Sequence, residues 1–170
     1  MTNKLFKVNT DRFSPYSAYA FLVYFAQSSE PAAAVSRVSA LTRTADVIEY
    51  RQGGDGIIRK GLGRMRYEPV TLERGISQNA EFMEWADAAQ VLDTGVANTS
   101  LKNLRRNIRI ELLNEARQPV MSFTLYRCWP SQFQALPQLD AGTNAIAIET
   151  IRLENEGWER ALDLQEPEDK

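Results

Sequence analysis

Histidine is absent from this chain of 170 residues, and cysteine occurs once, as Cys128. The first absence removes the commonest general base and the commonest metal ligand together. The second excludes an internal disulfide and any Cys/His cluster with zinc spacing, and leaves Cys128 without a histidine to activate it as a nucleophile. An excess of charge of either sign is also missing. Twenty Lys and Arg face 22 Asp and Glu, for a net charge of -2, so there is no electrostatic case for nucleic acid as a main partner. No apolar run reaches the ~18 residues of a membrane-spanning helix. The stretch MTNKLFKVNTDRF has no apolar leader, which with the single cysteine gives the expectation of a reducing cytoplasm. Neither an internal repeat nor a low-complexity segment is visible. No cofactor and no metal are expected.

What is present is an ordinary globular composition, 44% apolar and 25% charged, at one-domain length. A chain of this size removes roughly 70% of its unfolded surface from water, enough for a core without staples. The stretch that organises the reading is 45–62, ADVIEYRQGGDGIIRKGL. Val47, Ile48 and Tyr50 favour a pleated surface, Gly53, Gly54 and Gly56 around Asp55 supply a turn, and Ile57 and Ile58 resume an extended run. Asp46, Glu49, Arg51, Arg59 and Lys60 place charges on both arms, so this hairpin cannot bury both faces in its own core. A two-stranded ribbon alone in water is marginal, so it is expected to lie against something else.

Along the rest of the chain, 1–14 reads as a polar arm. Tyr16 to Phe25 reads as a buried strand, with Tyr16, Tyr19, Phe21 and Tyr24 as sheet aromatics and not a base-stacking platform, since no basic groove accompanies them. Val35 to Leu41 is a second strand. In Met65 to Gly75, Val70, Leu72 and Arg74 alternate with Thr71 and Glu73. Over 77–89 the period changes to that of a helix. Ser77 is its expected N-cap, Glu81 lies in the first turn, and Glu81, Glu84 and Asp87 lie opposite the Phe82, Met83, Trp85 and Ala86 group. Val91 to Asn103 reads as a loop. Arg105 to Leu113 and Val120 to Tyr126 form a hairpin, Trp129–Pro130 a bend, Gln132 to Leu136 a short strand, and Ile146 to Leu153 the last strand, with a bulge near Glu149 to Ile151. Gly157 ends it, and WERALDLQEPEDK is expected to make one helical turn before an acidic tail over 158–170. Short strands with regular turn signals indicate a sandwich or small barrel.

The chemical constellations are weak. Glu149 with Glu154 and Glu156, and Glu81 with Glu84, pair carboxylates, but general acid–base work needs a cleft and separated pKa values. Arg105–Arg106 and Arg59–Lys60 suit strand rims better than a phosphate clamp. GGDG lacks the Lys-Ser/Thr of a P-loop and is followed by no helix. The feature a monomer leaves unexplained is its strand margins, which must be covered or paired. Pairing between identical subunits solves this, and a closed ring is the symmetric outcome.

The chain resembles the tail tube proteins of contractile phages and the inner tube proteins of related injection systems. The matching stretches are YSAYAFLV at 16–23, Ser39 to Leu41, VIEYRQGG at 47–54, Leu62–Gly63, VTLERG at 70–75, LLNEA at 112–116 with Pro119–Val120, CWP at 128–130, and NAIAIETIRLENEG at 144–157. Their order is the family's, and they cover about 15–157. The resemblance implies a mainly β fold of two orthogonally packed antiparallel sheets closing into a barrel or sandwich, with one flanking helix. It implies hexameric rings that stack into a tube inside a contractile sheath, assembled in the bacterial cytoplasm. Partners so implied are further copies, paralogous tube or initiator subunits, the sheath and the baseplate or spike, with no membrane insertion and nucleic acid only as passing cargo. Glu49, Tyr50, Arg51, Gly53, Gly54, Arg59, Lys60 and Glu149 are then expected at subunit interfaces, and Glu81, Glu84 and Trp85 on a helix facing sheath or baseplate. Arg109, Glu111, Glu73 and Glu49 are candidates for the lumen. A long Val91 to Asn103 connection and the acidic tail raise a specialised first ring beside the repeating subunit. The competing readings are a monomeric small-barrel ligand-binding module, with the aromatics of 16–25 around a cavity, and a carboxylate hydrolase dependent on Glu149.

Overall fold

The computed structural model describes residues 20–25, 30–32, 35–51, 53–54, 56–93, 104–140, 142 and 145–162. The expected arm over 1–14, Tyr16 and Tyr19, and most of the acidic tail lie outside them. The elements are β1 (Phe21–Phe25), β2 (Val35–Val38), β3 (Arg43–Tyr50), β4 (Arg59–Tyr67), β5 (Val70–Gly75), α1 (Glu81–Asp93), β6 (Arg106–Leu113), β7 (Pro119–Gln134), β8 (Ile148–Glu154) and β9 (Trp158–Arg160). Seven strands form one antiparallel sheet in the order β1-β6-β7-β8-β5-β2, with β9 on β7, and β3 pairs only with β4.

The long β7 makes this sheet two-sided. Its first part, Pro119 to Cys128, pairs β6, and its second, Trp129 to Gln134, pairs β8. Between them the β6 register skips a residue, Arg127 takes a positive φ of 53°, and its amide donates to Asn107 Oδ1 at 3.0 Å. Such a bulge bends a strand and increases its twist. Inward residues of both parts then meet in one core: Val23 and Phe25 of β1, Ile108 and Ile110 of β6, Leu125 of β7, Val70 and Leu72 of β5, Ile151 and Leu153 of β8. Each such side chain fully buried contributes about 1.5–3 kcal/mol. The result is sandwich-like; β1 and β2 end the strand order without pairing each other, so no barrel closes.

Helix α1 closes the core. Phe82 and Trp85 are both fully buried, Phe25 meets each edge-on at centroid distances of 5.8 and 5.2 Å, and Trp85 Nε1 donates to the Leu104 carbonyl at 2.7 Å. The helix starts four residues later than its periodicity suggests. Ser77 Oγ accepts from the Asn79 amide, while the Asn79 side chain accepts from the Glu81 amide at 2.9 Å and so takes over the capping expected of Ser77. At the other end α1 runs through Val91–Asp93, which the sequence presented as loop.

Other departures have local causes. Met65 to Tyr67 belongs to β4, because Glu68 and Pro69 interrupt the run and Pro69 has no amide to donate. Trp129 and Pro130 lie within β7, and the turn in direction comes earlier, at Arg127; Gln132 to Gln134 is the same strand continued. The bulge expected in β8 is absent: its register with β5 is continuous from Val70↔Leu153 to Gly75↔Ile148. Its alternation only looks broken because Glu149 occupies an inward position. Trp158–Arg160 is a strand and not a helical turn. Gly157 (φ +147°) makes the corner, its carbonyl accepts from the Tyr126 amide at 2.8 Å, and Trp158 packs edge-on against Tyr67 and Phe123. Residues past 157 are thus part of the sheet.

The inward Glu149 is matched by Arg74, directly opposite on β5. Arg74 is 1% exposed and Glu149 7%. Arg74 Nε donates to Glu149 Oε1, Nη2 to the Asn79 carbonyl at 2.6 Å and Nη1 to Asn79 Oδ1 at 3.3 Å, while the guanidinium stacks 4.0 Å from the Phe82 ring centroid. One side chain therefore joins β5, β8 and the entry to α1.

Removing one partner leaves a buried charge uncompensated. Glu149→Leu and Arg74→Met singly are expected to lower stability by about 3–5 kcal/mol, and the double variant to recover most of that loss, as read from urea unfolding. A loss in the double variant equal to the sum of the two single losses would show that the pair is not coupled.

Candidate functional site

Burial leaves one element outside the body. Val47, Ile48, Tyr50, Ile57, Ile58, Leu62 and Met65, all within 43–67, are each at least half exposed. The ribbon is held to the body near its base. Tyr67 and Arg43 approach Trp158, with the Arg43 guanidinium 5.7 Å from that ring, Asn155 Nδ2 donates to the Glu68 carbonyl at 3.0 Å, and the Glu68 amide donates to the Thr42 carbonyl.

The ribbon's shape comes from two glycines. Gly54 has a φ of +85° in the tip turn. Gly63 lies at a bulge where β4 carries an extra residue between Val47↔Leu62 and Ala45↔Met65. A Cβ on Gly63 would stand 2.7 Å from the Asp46 carbonyl oxygen, so no other residue fits that register. Cross-strand ion pairs fix the rest: Lys60 to Glu49 at 3.7 Å and Arg66 to Asp46 at 3.0 Å, both exposed and each contributing no more than about 1 kcal/mol. Glu49, Tyr50, Arg51, Gly53, Gly54, Arg59 and Lys60 are thereby brought together on the outer half of the ribbon, all exposed.

Two residues expected at outer surfaces are not there. Glu149 is buried beside Arg74, because its strand position faces the core, and Trp85 is fully buried against Phe25, because it shares the helix face of Phe82. On the outer side of α1, Glu84, Met83 and Asp87 are exposed and Glu81 is half-buried, with no basic residue in the last turn.

The sheet face turned away from the core is polar and internally neutralised. Arg109 pairs with Glu111 at 2.9 Å and lies 4.4 Å from the Tyr24 ring centroid; Arg37 pairs with Glu73 at 3.6 Å and Arg152 with Glu154 at 3.9 Å. Desolvation, then the Glu111 carboxylate, raises the Tyr24 hydroxyl above its usual range, and a hydrogen bond to Glu159 raises Tyr126. Of the four lumen candidates, Arg109 and Glu111 lie on the outer side of the β1–β6 part, Glu73 on the outer side of the β5–β8 part, and Glu49 on the ribbon.

Nothing here assembles a carboxylate dyad. Glu149 is held by Arg74, Glu154 by Arg152, and Glu156 by Arg105 and Arg127 at 2.8 and 3.0 Å. Among the described residues no cluster of three or more His, Cys, Asp or Glu is placed to hold a metal. Phe21 and Phe25 of β1 pack in the interior where a ligand-binding module would need its cavity, Phe25 being 5% exposed between Phe82 and Trp85, while Tyr24 faces outward beside Arg109. Cys128 is fully buried, and desolvation pushes its thiol up to about 12 from 9.0.

Two outcomes are expected. Gly63→Val, by forcing the bulge apart, should raise amide exchange across 43–67 by about tenfold or more while the body's melting temperature holds, as read by hydrogen-exchange mass spectrometry. For Cys128, the thiol loses its proton in the unfolded chain well before it does in the fold. Stability is unaffected below about pH 9 and falls as the pH rises toward about 12, and Cys128→Ala should flatten that slope in denaturant titrations.

The same elements recur in known proteins. A search of curated proteins gave no match. Among solved structures, a chain of the anti-feeding prophage baseplate is 28% identical, with 87% of this chain and 96% of that chain covered and a TM-score of 0.69. A chain of the sheath–tube complex of the PVC extracellular contractile injection system, in its extended state, is 25% identical (86% and 91% covered, TM-score 0.70), and one of the same system's sheath/tube terminator is also 25% identical (87% and 97% covered, TM-score 0.71). The family model described as T4-like virus tail tube protein gp19 matches residues 17–159, a span that takes in β1 and ends in the middle of β9. An open-edged sandwich with a protruding ribbon, matched along nearly its whole described length, thus places this chain in the T4-like virus gp19 tail tube protein family, with a contractile tail tube role.

Proposed function

We propose that this protein is a repeating subunit of such a tube, non-enzymatic, assembling in the cytoplasm into hexameric rings that stack as a conduit driven out by sheath contraction. The observation that carries this is the ribbon, on which seven large apolar side chains are each at least half exposed. Monomeric proteins seldom leave so much contiguous apolar surface in water. The margin of β2, which ends the strand order, adds backbone groups that a neighbouring copy would pair. The outer residues of the ribbon, Glu49 to Lys60, contact further copies in this reading. The acidic outer side of α1, with Glu81 and Glu84, faces sheath or baseplate.

The neutralised outer side of β6 suits a lumen. Arg109 and Glu111 are already paired there, so a charged cargo finds few unscreened partners to bind. The repeating subunit is preferred to a specialised ring because the connection that looked unusually long gives three residues, Val91–Asp93, to α1.

Deleting Gln52 to Gly56 tests the ribbon's role. The far-ultraviolet circular dichroism should keep its strand signature, while sedimentation shifts from polymers to species near 19.3 kDa. Full-length protein that stays at that mass at high concentration, with or without a tube partner, would end the assembly reading. Electron microscopy of the chain polymerised alone should show long tubes; single rings that grow only with a paralogue would make it an initiator.

A further inference from the structure

The ribbon differs from the body in charge as well as in exposure. Residues 43–67 contain six basic and three acidic side chains, net +3, whereas the remainder of the chain carries -5 within the total of -2. Arg51, Arg59 and Lys60 flank the tip turn and are exposed. Among them stand Tyr50, Ile57 and Ile58, which are 54%, 68% and 51% exposed. Behind the tip, apolar residues lie on both faces, Val47 with Leu62 on one and Ile48 over Gly61 on the other. A flat partner laid along one side would leave the second row in water, whereas a medium that surrounds the tip covers both. The eight residues of β3, at about 3.3 Å each, carry the tip roughly 25 Å from the root along the strand. The tip therefore meets a flat surface ahead of the acidic body.

We propose that, before assembly, the ribbon docks tip-first on an anionic lipid surface, with Tyr50, Ile57 and Ile58 at the depth of the headgroups and Arg51, Arg59 and Lys60 against the lipid phosphates. The residue types select a lipid surface over other anionic partners. Basic side chains are drawn to an anionic bilayer, exposed apolar side chains enter the boundary between headgroups and acyl chains, and tyrosine prefers that boundary. Duplex nucleic acid offers phosphates but no apolar medium for the isoleucines. The same surface repels a body of charge -5, so attraction and repulsion together orient the chain with its ribbon foremost. The ribbon stays at the surface, because the hydrocarbon interior would leave the backbone groups of its two edges unsatisfied. This contact belongs to the unassembled chain and stands apart from the tube reading, whose own test is polymerisation.

The test is flotation of the full-length chain, at a dilution where it sediments near 19.3 kDa, with vesicles of equal parts phosphatidylglycerol and phosphatidylcholine or of phosphatidylcholine alone. The chain should float with the anionic vesicles and not with the neutral ones, and added salt should weaken the binding. Arg51→Gln with Arg59→Gln should lower the binding by about tenfold or more, and so should Ile57→Ser with Ile58→Ser. Arg152→Gln with Arg160→Gln, an equal change of charge on the body, should alter it by no more than about threefold. All six positions are exposed, so the circular dichroism of each variant should match that of the parent. A chain that floats with both vesicles alike, or that keeps full binding after either ribbon change, overturns the proposal. So does duplex DNA bound as tightly as the anionic vesicles with no loss on changing the isoleucines. A chain that self-associates and leaves both vesicles bare overturns it too, and assigns the ribbon to further copies alone. None of these outcomes alters the tube reading.

Discussion

The fold turns on a buried arginine. Arg74 sits at an inward position of a core strand, where charge is costly unless every donor is matched. Glu149 on the facing strand supplies the counter-charge, Asn79 accepts two of the remaining donors, and Phe82 covers the guanidinium plane. Because Asn79 also holds the first amide of α1, the same contact decides where the helix begins. The helix in turn brings Phe82 and Trp85 over the mouth between the two parts of the bent sheet. Strand pairing, helix register and core closure are therefore consequences of satisfying one side chain.

That closed body contrasts with what it carries. The strand order ends at β1 and β2, and the ribbon projects apolar residues that the core does not use. A rigid body with unfinished surfaces suits a tube component, whose work is mechanical. Its geometry must be fixed inside the subunit, while its contacts are completed outside. The ion pairs on the outer sheet face belong to the same division. Exposed pairs of this kind contribute little stability, but they leave a surface that carries charge with little net field.

Most elements are legible in the residues, and the places where the reading slipped share a cause. The hairpin at 45–62, the strand at 105–113 and the helix around 77–89 follow from alternation, glycine placement and a change of period. Glu149 looked like surface and Trp85 like a candidate contact because a residue's type indicates exposure only on average. Strand β8 seemed to slip register only because a carboxylate occupied an inward slot that Arg74, 75 residues away in the chain, makes tolerable. The bend of β7 at Arg127 left no signal, since a positive φ on an arginine is imposed by the bulge and by the Asn107 side chain across the ladder. The ribbon residues are visible in the sequence as a polar hairpin with a glycine turn. Its two apolar faces emerged only with the strand register.

The sequence by itself determined that this is a mainly β, histidine-free, single-cysteine domain with a glycine-tipped hairpin it cannot bury, and its ordered motifs determined the family. These are local properties: periodicity, turn chemistry and composition act over a few residues. Tertiary structure alone decided which charges go inside, where the long strand bends, and which apolar side chains are left in water. Each of those depends on a partner distant in the chain, and the cost of burying or exposing a group is set by the neighbours that folding brings to it.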